Sequence, residues 1–343
     1  MKINHDIKRQ NKFLKELRRW MLQRNVIGFA INRFQWHFYP RLFMRKDYPL
    51  HIDIETTSHC QMNCPMCFRA HKKIPKEGNM SFDTFRKIID EIEGNVYSIK
   101  FTGRGEPLLN AKFPDFMRYL RGKKFGEIGM ITNGQFMNET IMLSIIENGL
   151  DFVSFSVDGL KSDYDRIRAP MTYERIFSTV SALHEMKKKL RAAKPLIRIT
   201  SVDKYMKGAE DEFIKQWAPV SDDIMFQFFK DYDHDAPNIQ DSSLPCPFLY
   251  QRMMIHWDGT IPMCINDEYE TNVLGDISSQ TIKEIWNGLK FEESRKGHRA
   301  GKRDSIECCR NCALFREGHG KKNFLSDLFT FVLNNKKVNN EKK

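Results

Sequence analysis

Six stretches typical of β-strands alternate strictly with stretches typical of amphipathic helices between residues 50 and 230. A helix between two strands is a crossover connection, so this alternation predicts a parallel sheet covered by helices. Six such units form either an open doubly wound sheet or a partial barrel. In both folds, ligands bind at the carboxyl ends of the strands. The predicted strands are "HIDIETT", "VYSIKFTG", "EIGMITNG", "FVSFSVDG", "LIRITSV" and "DIMFQFF".

Three cysteines follow the first predicted strand, at the end of the sheet where ligands are expected. Cys60, Cys64 and Cys67 have the spacing C-x3-C-x2-C. A structural zinc site needs four ligands, and the adjacent His59 is a poor fourth candidate. A thioredoxin-type dithiol would use Cys64 and Cys67 alone and would leave Cys60 without a role. A [4Fe–4S] cluster held by three thiolates uses all three cysteines and leaves one iron open to a further ligand.

This cysteine motif resembles that of the radical S-adenosylmethionine (SAM) superfamily, and the resemblance covers about residues 50–235. It implies an α/β fold, a partial (β/α)6 barrel similar to a TIM barrel, with a SAM-binding [4Fe–4S] cluster. It also implies that the amino and carboxylate groups of SAM chelate the open iron. Reductive cleavage of SAM then yields a 5′-deoxyadenosyl radical, which abstracts a hydrogen atom from the substrate. The cofactor carries this chemistry and the protein orients it.

A second motif, "TGRGEPLL", follows the second predicted strand. Glycine allows a backbone to approach a ligand closely, and a carboxylate can accept hydrogen bonds from an ammonium group. The motif resembles the family's GGEP element, which implies that Gly103, Gly105, Glu106 and Pro107 bind SAM at its amino group. Arg104 stands where the family usually has glycine, so a backbone contact from this residue is in question. The alternative is a glycine turn with a surface acid.

Three further residues near strand ends are candidates for SAM contacts. Asn133 lies in "TNG" after the third strand, and Ser156 ends the fourth, within reach of a bound ribose or carboxylate. By position, Arg168 resembles the arginine that pairs with the SAM carboxylate in related enzymes, because a guanidinium binds a carboxylate through two parallel hydrogen bonds. The alternatives are an ordinary Asn-Gly turn, a strand-end turn and a surface arginine.

The remaining five cysteines lie between residues 246 and 312. Their pattern, C-x12-G-x4-C followed by "ECCRNC", resembles the short, Twitch form of the SPASM/Twitch extension. The resemblance implies one auxiliary [4Fe–4S] cluster held by Cys246, Cys264, Cys309 and Cys312. Cys308 competes with Cys309 for one ligand position, and the C-x2-C loop favours Cys309. Zinc bound by four cysteines is the alternative metal.

Positive charge is concentrated in the first 50 residues, which carry 12 lysines and arginines against three acids. Apolar residues recur there at helical spacing, which is typical of a basic amphipathic segment. The rest of the chain is nearly neutral, so nucleic-acid binding is not expected. We predict four segments: an arm at 1–49, the core barrel at 50–240, the auxiliary cluster domain at 241–320, and a C-terminal helix with a basic tail at 321–343.

Two cluster sites favour an oxidoreductase, because a substrate radical that loses a proton and an electron has been oxidised by two electrons. The resemblance to aminocyclitol dehydrogenases, which share this plan, implies a sugar-like or aminocyclitol-like small molecule as substrate. The alternatives are a radical SAM maturase that modifies a peptide or protein, and a non-catalytic iron–sulfur protein. The catalytic residues are unknown, and candidate proton acceptors are Gln227, Lys230, Asp231, His256 and Asp267.

The basic arm predicts contact with an acidic partner. Flavodoxins and ferredoxins are acidic electron donors, and opposite charge speeds their encounter with a basic surface. An anionic inner membrane face is the other candidate partner. The N-terminus lacks the pattern of a signal peptide and no apolar run is long enough to span a bilayer. We therefore expect a cytoplasmic location, peripheral to the membrane if the arm binds lipid.

Overall fold

The centre of the computed structural model, which describes residues 25–227, 229, 246–310 and 312, is a seven-stranded parallel sheet. The strands follow one another in the order β6-β5-β4-β3-β2-β1-β7. A doubly wound sheet reverses its strand order at a switch point, whereas six consecutive neighbours are the order of a barrel wall. The strands are β1 (His51–Ile54), β2 (Ser98–Phe101), β3 (Glu127–Thr132), β4 (Phe152–Ser156), β5 (Leu196–Val202), β6 (Asp223–Gln227) and β7 (Arg252–Ile255).

Helices connect consecutive strands from β1 to β6, and one further helix precedes the sheet. Four of them begin where Asn25, Ser81, Asn138 and Thr172 accept a hydrogen bond from the backbone N–H three residues later, which stabilises a helix N-terminus. The helices are α1 (Val26–Phe38), α2 (Phe82–Ile92), α3 (Phe113–Leu120), α4 (Glu139–Glu147), α5 (Ser162–Ile167), α6 (Tyr173–Lys189) and α7 (Glu210–Trp217).

The two faces of the sheet differ in polarity. Side chains alternate between faces along a strand, and one set is apolar, buried and part of the hydrophobic core: Ile52, Ile54, Ile99, Phe101, Ile128, Met130, Val153, Phe155, Ile197 and Ile199. The other set is polar. The carboxylate of Asp53 lies 3.0 Å from Nζ of Lys100, and the hydroxyls of Ser154 and Thr200 lie 2.6 Å apart. Since these polar residues are shielded from solvent, they face the interior of a partly closed barrel.

The C-terminal residues form a smaller unit against the barrel. It contains a helical turn α8 (Phe248–Gln251), an antiparallel hairpin of β8 (Thr260–Pro262) and β9 (Val273–Asp276), and the helices α9 (Ile282–Asn287), α10 (Leu289–Arg299) and α11 (Glu307–Arg310). Trp286 is fully buried, and its indole N–H donates to the carbonyl of Lys46 at 3.0 Å. This contact ties the C-terminal unit to the segment that enters β1.

The predicted α/β architecture is confirmed, and all six predicted strands are present. Several end two or three residues early, because residues expected to extend them turn into the loops of the candidate site. Strand β7 was not predicted; it is only four residues long and pairs with β1, about 200 residues earlier in the chain. The predicted helices before residue 25 and beyond residue 320 lie outside the described residues. Within the described residues, no helix combines the length and apolar character that crossing a bilayer requires.

Candidate cofactor site

A cavity of about 220 Å³ opens at the carboxyl ends of strands β1 to β4. Its walls are the loop that carries the first three cysteines, the glycine-rich loop after β2, and the ends of β3 and β4. The structure brings together the three predicted cluster ligands and six of the seven predicted SAM contacts. These cavity residues are Cys60, Cys64, Cys67, Gly103, Gly105, Glu106, Asn133, Ser156 and Arg168.

The cysteine loop, residues 58–78, is held in shape by hydrogen bonds at both ends. The N–H of Cys67 donates to the carbonyl of Cys64 at 2.9 Å. The guanidinium of Arg69 donates to the carbonyl of Ser58 at 2.8 Å and to the carboxylate of Glu77 at 2.6 Å. One thiol of the three is buried and the other two are partly exposed. Bonds within the loop therefore brace the segment that presents the three thiols to the cavity.

The glycine-rich loop packs directly onto the cysteine loop. A Cβ atom on Gly105 would lie 2.3 Å from the carbonyl oxygen of Thr57 and 2.5 Å from that of His59. The N–H of Glu106 donates to the same His59 carbonyl at 2.8 Å. The motif predicts that a glycine here allows a ligand to approach the backbone closely. The structure adds a second reason, since the two loops that surround the cavity meet backbone to backbone.

Glu106 is the only acidic side chain among the described residues that line the cavity. It is buried, and its carboxylate accepts hydrogen bonds from the hydroxyl of Thr132 at 2.6 Å and from the N–H of Asn133 at 2.7 Å. Burial raises the pKa of Glu106 to about 7, against these hydrogen bonds, which lower it. A carboxylate that has lost its water in this way gains from a nearby cation. The site is thus suited to the ammonium group of an amino acid.

Arg168 lies in the cavity wall beside the thiol of Cys64. Its Nε donates to the carboxylate of Asp158 at 2.7 Å, and the same carboxylate accepts from the N–H of Val202 at 2.6 Å. Burial alone would lower the pKa of Arg168, but the charges of Asp158 and Cys64 raise it, so the guanidinium stays protonated. The arginine is therefore a fixed positive charge at the edge of the cavity.

The other predicted contacts differ in position. Ser156, half-buried, ends β4 at the cavity. The side-chain oxygen of Asn133 accepts a hydrogen bond from Gln61 of the cysteine loop at 3.1 Å. Pro107 is buried at the start of a short 3-10 turn, Pro107–Leu109, and is not one of the residues found to line the cavity. Its contribution is to the shape of the glycine-rich loop.

The five C-terminal cysteines also come together. Cys309 is buried and interacts electrostatically with the thiols of Cys246, Cys264 and Cys312, the other three predicted ligands. Cys308 lies partly exposed, with its sulfur 3.9 Å from that of Cys309. Cys308 also contacts the thiol of Cys264, so the choice of Cys309 as the ligand stays a prediction from the C-x2-C spacing.

The thiols of the second site could bind either zinc or an iron–sulfur cluster, and the two differ in how far apart they hold the sulfur atoms. A single zinc ion bound at about 2.3 Å holds its sulfur ligands within about 4 Å of one another. The ligands of a [4Fe–4S] cluster bind different irons and lie farther apart. Across the described ranges, no group of three or more His, Cys, Asp or Glu side chains is close enough to share one metal ion. Both sets consist of thiols, which are the donors that hold iron–sulfur clusters.

The candidate proton acceptors do not converge on the cavity. Asp267 accepts hydrogen bonds from the backbone of its own loop at 2.8 and 2.9 Å, and His256 is buried against a glutamate at 2.9 Å. Gln227 is exposed at the end of β6. Lys230 and Asp231 lie outside the described residues. No catalytic base is assigned.

Arg104, which stands where the family usually has glycine, does not face the cavity alone but forms buried ion pairs. Its N–H donates to the carboxylate of Glu55 at 2.8 Å, and its side chain is buried in ion pairs with Glu55 and Glu270. Only the departure from the family's usual glycine pointed to this residue in the sequence. Its partners lie 49 and 166 positions away, and no local pattern relates them.

Comparison with protein-family models identifies both parts of the chain. The model of the radical SAM superfamily matches residues 54–193, and the model of SPASM, an iron–sulfur cluster-binding domain, matches residues 246–313. The first match contains the cavity. The second contains all five C-terminal cysteines and begins at Cys246.

Two curated proteins illustrate the range of relatives. The tungsten-containing aldehyde ferredoxin oxidoreductase cofactor-modifying protein of Pyrococcus furiosus is 33% identical over 143 residues, a match that covers 40% of each chain. The SAM-dependent 2-deoxy-scyllo-inosamine dehydrogenase of Niallia circulans is 21% identical over 273 residues, which cover 76% of this chain and 91% of the relative. The matches to four curated relatives, the Pyrococcus protein among them, span between 22% and 41% of those proteins' own lengths.

Among solved structures, BtrN in complex with AdoMet and 2-DOIA superimposes with a TM-score of 0.54 at 19% sequence identity. The match covers 79% of this chain and 94% of that chain, so the shared fold extends over both parts. The predicted family, the barrel with its C-terminal cluster domain, and the SAM and iron–sulfur cofactors are thereby confirmed. The roles of individual ligand and contact residues remain predictions.

Proposed function

Because the chain belongs to the radical SAM superfamily and carries an iron–sulfur cluster-binding domain, we propose that it is an oxidoreductase that dehydrogenates a polar small molecule, a sugar or an aminocyclitol. The observation that carries this proposal is the combination of two features in one barrel. A cavity lined by three thiols lies at the strand ends, and below it the barrel wall carries hydroxyl and charged side chains.

The residues of the two sites have distinct roles in this proposal. Cys60, Cys64 and Cys67 hold the SAM-binding cluster, Glu106 binds the ammonium of SAM, and Arg168 binds its carboxylate. The auxiliary cluster is held by Cys246, Cys264, Cys309 and Cys312. When bound, the cofactors supply a radical that removes a hydrogen atom from a substrate carbon, and an acceptor for the electron that leaves with the following deprotonation.

The polarity of the barrel wall supports a hydroxylated substrate. Ser154, Ser156 and Thr200 lie on neighbouring strands β4 and β5, on the face that points into the barrel. Ser154 and Thr200 bond to each other, and Ser156 ends β4 at the cavity. A polyol can exchange hydrogen bonds with such hydroxyl groups, whereas an apolar substrate cannot. In the oxidation of a secondary alcohol, the carbon loses a hydrogen atom and the hydroxyl then loses a proton. One electron is released at the same time, and the product is a ketone.

The test uses the full chain, reconstituted with iron and sulfide without oxygen. We expect about eight irons per chain, and about four in a variant with Cys60, Cys64 and Cys67 all changed to alanine. Reduction in the presence of SAM should give 5′-deoxyadenosine. With 2-deoxy-scyllo-inosamine deuterated at its carbinol carbons, we expect deuterium in the 5′-deoxyadenosine and one ketone for each SAM consumed.

Each alternative function predicts a different result. A peptide maturase would cleave SAM productively with a peptide and not with any polyol in a panel of sugars and aminocyclitols, which would overturn the substrate proposal. A non-catalytic iron–sulfur protein would bind iron and yield no 5′-deoxyadenosine on reduction. An iron content of four with one zinc would remove the electron acceptor on which dehydrogenation depends.

Helix α1 supports contact with an anionic membrane surface. Ile27, Ile31 and Phe34 recur at helical spacing on one face and are 74%, 53% and 56% exposed. The surrounding segment is strongly basic, as a helix that lies on anionic lipid requires. We expect the protein to float with phosphatidylglycerol vesicles and not with phosphatidylcholine vesicles, and Ile27→Asp with Phe34→Asp to abolish flotation. If the protein floats with neither kind of vesicle, it does not bind the membrane. A flavodoxin or ferredoxin then remains as the partner of the basic surface.

A further inference from the structure

A buried ion-pair network joins the glycine-rich loop to the C-terminal unit. The side chain of Arg104 is 2% exposed, and its guanidinium donates to Glu55 at 2.8 and 2.9 Å and to Glu270 at 2.7 Å. Glu55 follows β1, whereas Glu270 belongs to the segment between β8 and β9. His256 completes the network, with its Nδ1 2.9 Å from the carboxylate of Glu270. One side chain of the candidate SAM loop thus connects two parts of the fold.

The partner of Arg104 lies in a loop that also carries a predicted ligand of the auxiliary cluster. This Cys264 loop, residues 264–272, is shaped by Asp267, which accepts hydrogen bonds from the backbone of Thr271 and Asn272 at 2.8 and 2.9 Å. Glu270 has a φ of 57°, a left-handed conformation that is uncommon outside glycine. The side chain reaches Arg104 from this conformation, so the loop is built to present it.

The Cys264 loop contacts the other wall of the cavity as well. The hydroxyl of Tyr269 donates to the carbonyl of Phe68 at 2.8 Å, and the two rings meet edge to face at 6.0 Å. Phe68 directly follows the cluster ligand Cys67. Residues 269 and 270 therefore hold the cysteine loop and the glycine-rich loop from the same side.

The side chains of this network are charged and buried, so that their ion pairs are costly to break. Burial favours loss of charge on Arg104, but Glu55 and Glu270 outweigh this and raise its pKa. The hydrogen bond from His256 holds the pKa of Glu270 at about 2, with Arg104 contributing. Arg104 and Glu270 are therefore both charged at neutral pH, paired and away from water. Removal of one partner leaves a buried charge unpaired, which is far more costly than loss of a surface ion pair.

We propose that Arg104 is a positioning residue for SAM, and that its ion pair with Glu270 couples SAM binding to the state of the auxiliary-cluster loop. Arg104 immediately precedes Gly105 and Glu106, so a displacement of its side chain moves the backbone that places the Glu106 carboxylate. A movement of the Cys264 loop would displace the Arg104 side chain in the same way, because Glu270 of that loop is bonded to it. The inference rests on the proposed SAM contacts of the glycine-rich loop, and not on the identity of the substrate.

The experiment measures SAM affinity in the anaerobically reconstituted full chain, by calorimetry and by the change in the electron paramagnetic resonance signal of the reduced cluster on SAM addition. For Glu270→Gln we expect the Kd of SAM to rise about fivefold or more, the usual lower range of coupling between two sites. Arg104→Met should have at least the same effect, and Arg104→Lys should restore part of the affinity. Asp222→Asn is the matched control, because it breaks a buried ion pair with Lys187 elsewhere in the barrel.

A second measurement keeps the proposal testable if Arg104→Met does not fold. In a chain that lacks the auxiliary cluster through Cys264→Ser and Cys309→Ser, SAM affinity should already be reduced, and Glu270→Gln should add less than it does in the intact chain. Full additivity of the two effects would overturn the coupling. So would an unchanged Kd in Glu270→Gln, or an equal loss in Asp222→Asn.

Failure of this inference differs from failure of the proposed function. An unmodified chain that binds SAM tightly and oxidises no polyol would contradict the substrate assignment alone. An unmodified chain that binds SAM, with Glu270→Gln and Arg104→Lys unchanged in Kd and in spectrum, would contradict the positioning role alone.

Discussion

The contact between the two cavity loops predicts a large effect from one added methyl group, in Gly105→Ala. The new Cβ would lie 2.3 Å from the Thr57 carbonyl oxygen and 2.5 Å from that of His59. Normal contact distances require the loops to separate by about 1 Å. Both obstacles are backbone atoms, so no side-chain rotation can relieve the clash. The cysteine loop and the glycine-rich loop must move apart.

That movement breaks a hydrogen bond between the loops and lowers the folding stability of the protein. The hydrogen bond from Glu106 N–H to His59 is 2.8 Å long, and a separation of about 1 Å takes it beyond bonding distance. Overpacking of this kind typically costs about 1–3 kcal/mol of folding stability. The effect on chemistry should be greater than the effect on folding. A misplacement of about 1 Å at a reacting centre can cost about 100-fold in rate.

The assay compares Gly105→Ala with Gly297→Ala after anaerobic reconstitution. Gly297 lies within helix α10, where an added Cβ would meet only the side chain of Ile306 at 3.6 Å, an ordinary contact. We expect Gly105→Ala to retain its auxiliary iron while 5′-deoxyadenosine formation falls by about 100-fold. We expect Gly297→Ala to be neutral or slightly stabilising, because alanine is the better helix former. Wild-type SAM cleavage by Gly105→Ala would refute the close contact of the two loops.

Three further predictions concern charge and ligands. Because burial raises the pKa of Glu106 to about 7, protonation competes with the SAM ammonium, so SAM affinity should fall as pH drops below 7 and level off above it. Glu106→Gln, measured by the same titration from pH 6 to 8, should lose that dependence and leave only the titration of SAM itself. Cys309→Ser should lower the iron content by about four per chain, whereas Cys308→Ser should leave it unchanged; equal losses would contradict the ligand choice. Asp53→Asn leaves Lys100 and Arg252, whose side chains are 15% and 18% exposed, without their fully buried acid. This change should cost about 3 kcal/mol in chemical denaturation, while a loss below about 1 kcal/mol would show that water reaches this cluster.

The sequence specified those parts of the protein that depend on near neighbours along the chain. Strand and helix positions follow from the spacing of apolar residues and from caps such as Ser81, because both effects act within a few residues. The cysteine spacing likewise indicated which thiols share a loop. The preference for Cys309 over its neighbour also came from local spacing and stays a prediction, because both thiols lie close to that of Cys264.

Tertiary structure decided what depends on contacts between distant residues. Strand β7 is too short to be recognised alone, and its place beside β1 is set by backbone hydrogen bonds across the sheet. The glycine at 105 is required by the backbone of another loop, which no pattern around it reveals. Arg104 looked like a departure from a motif until Glu55 and Glu270 were found around it. Local periodicity determines where the helices and strands lie along the chain. The buried charges that join them are paired only when the chain is folded.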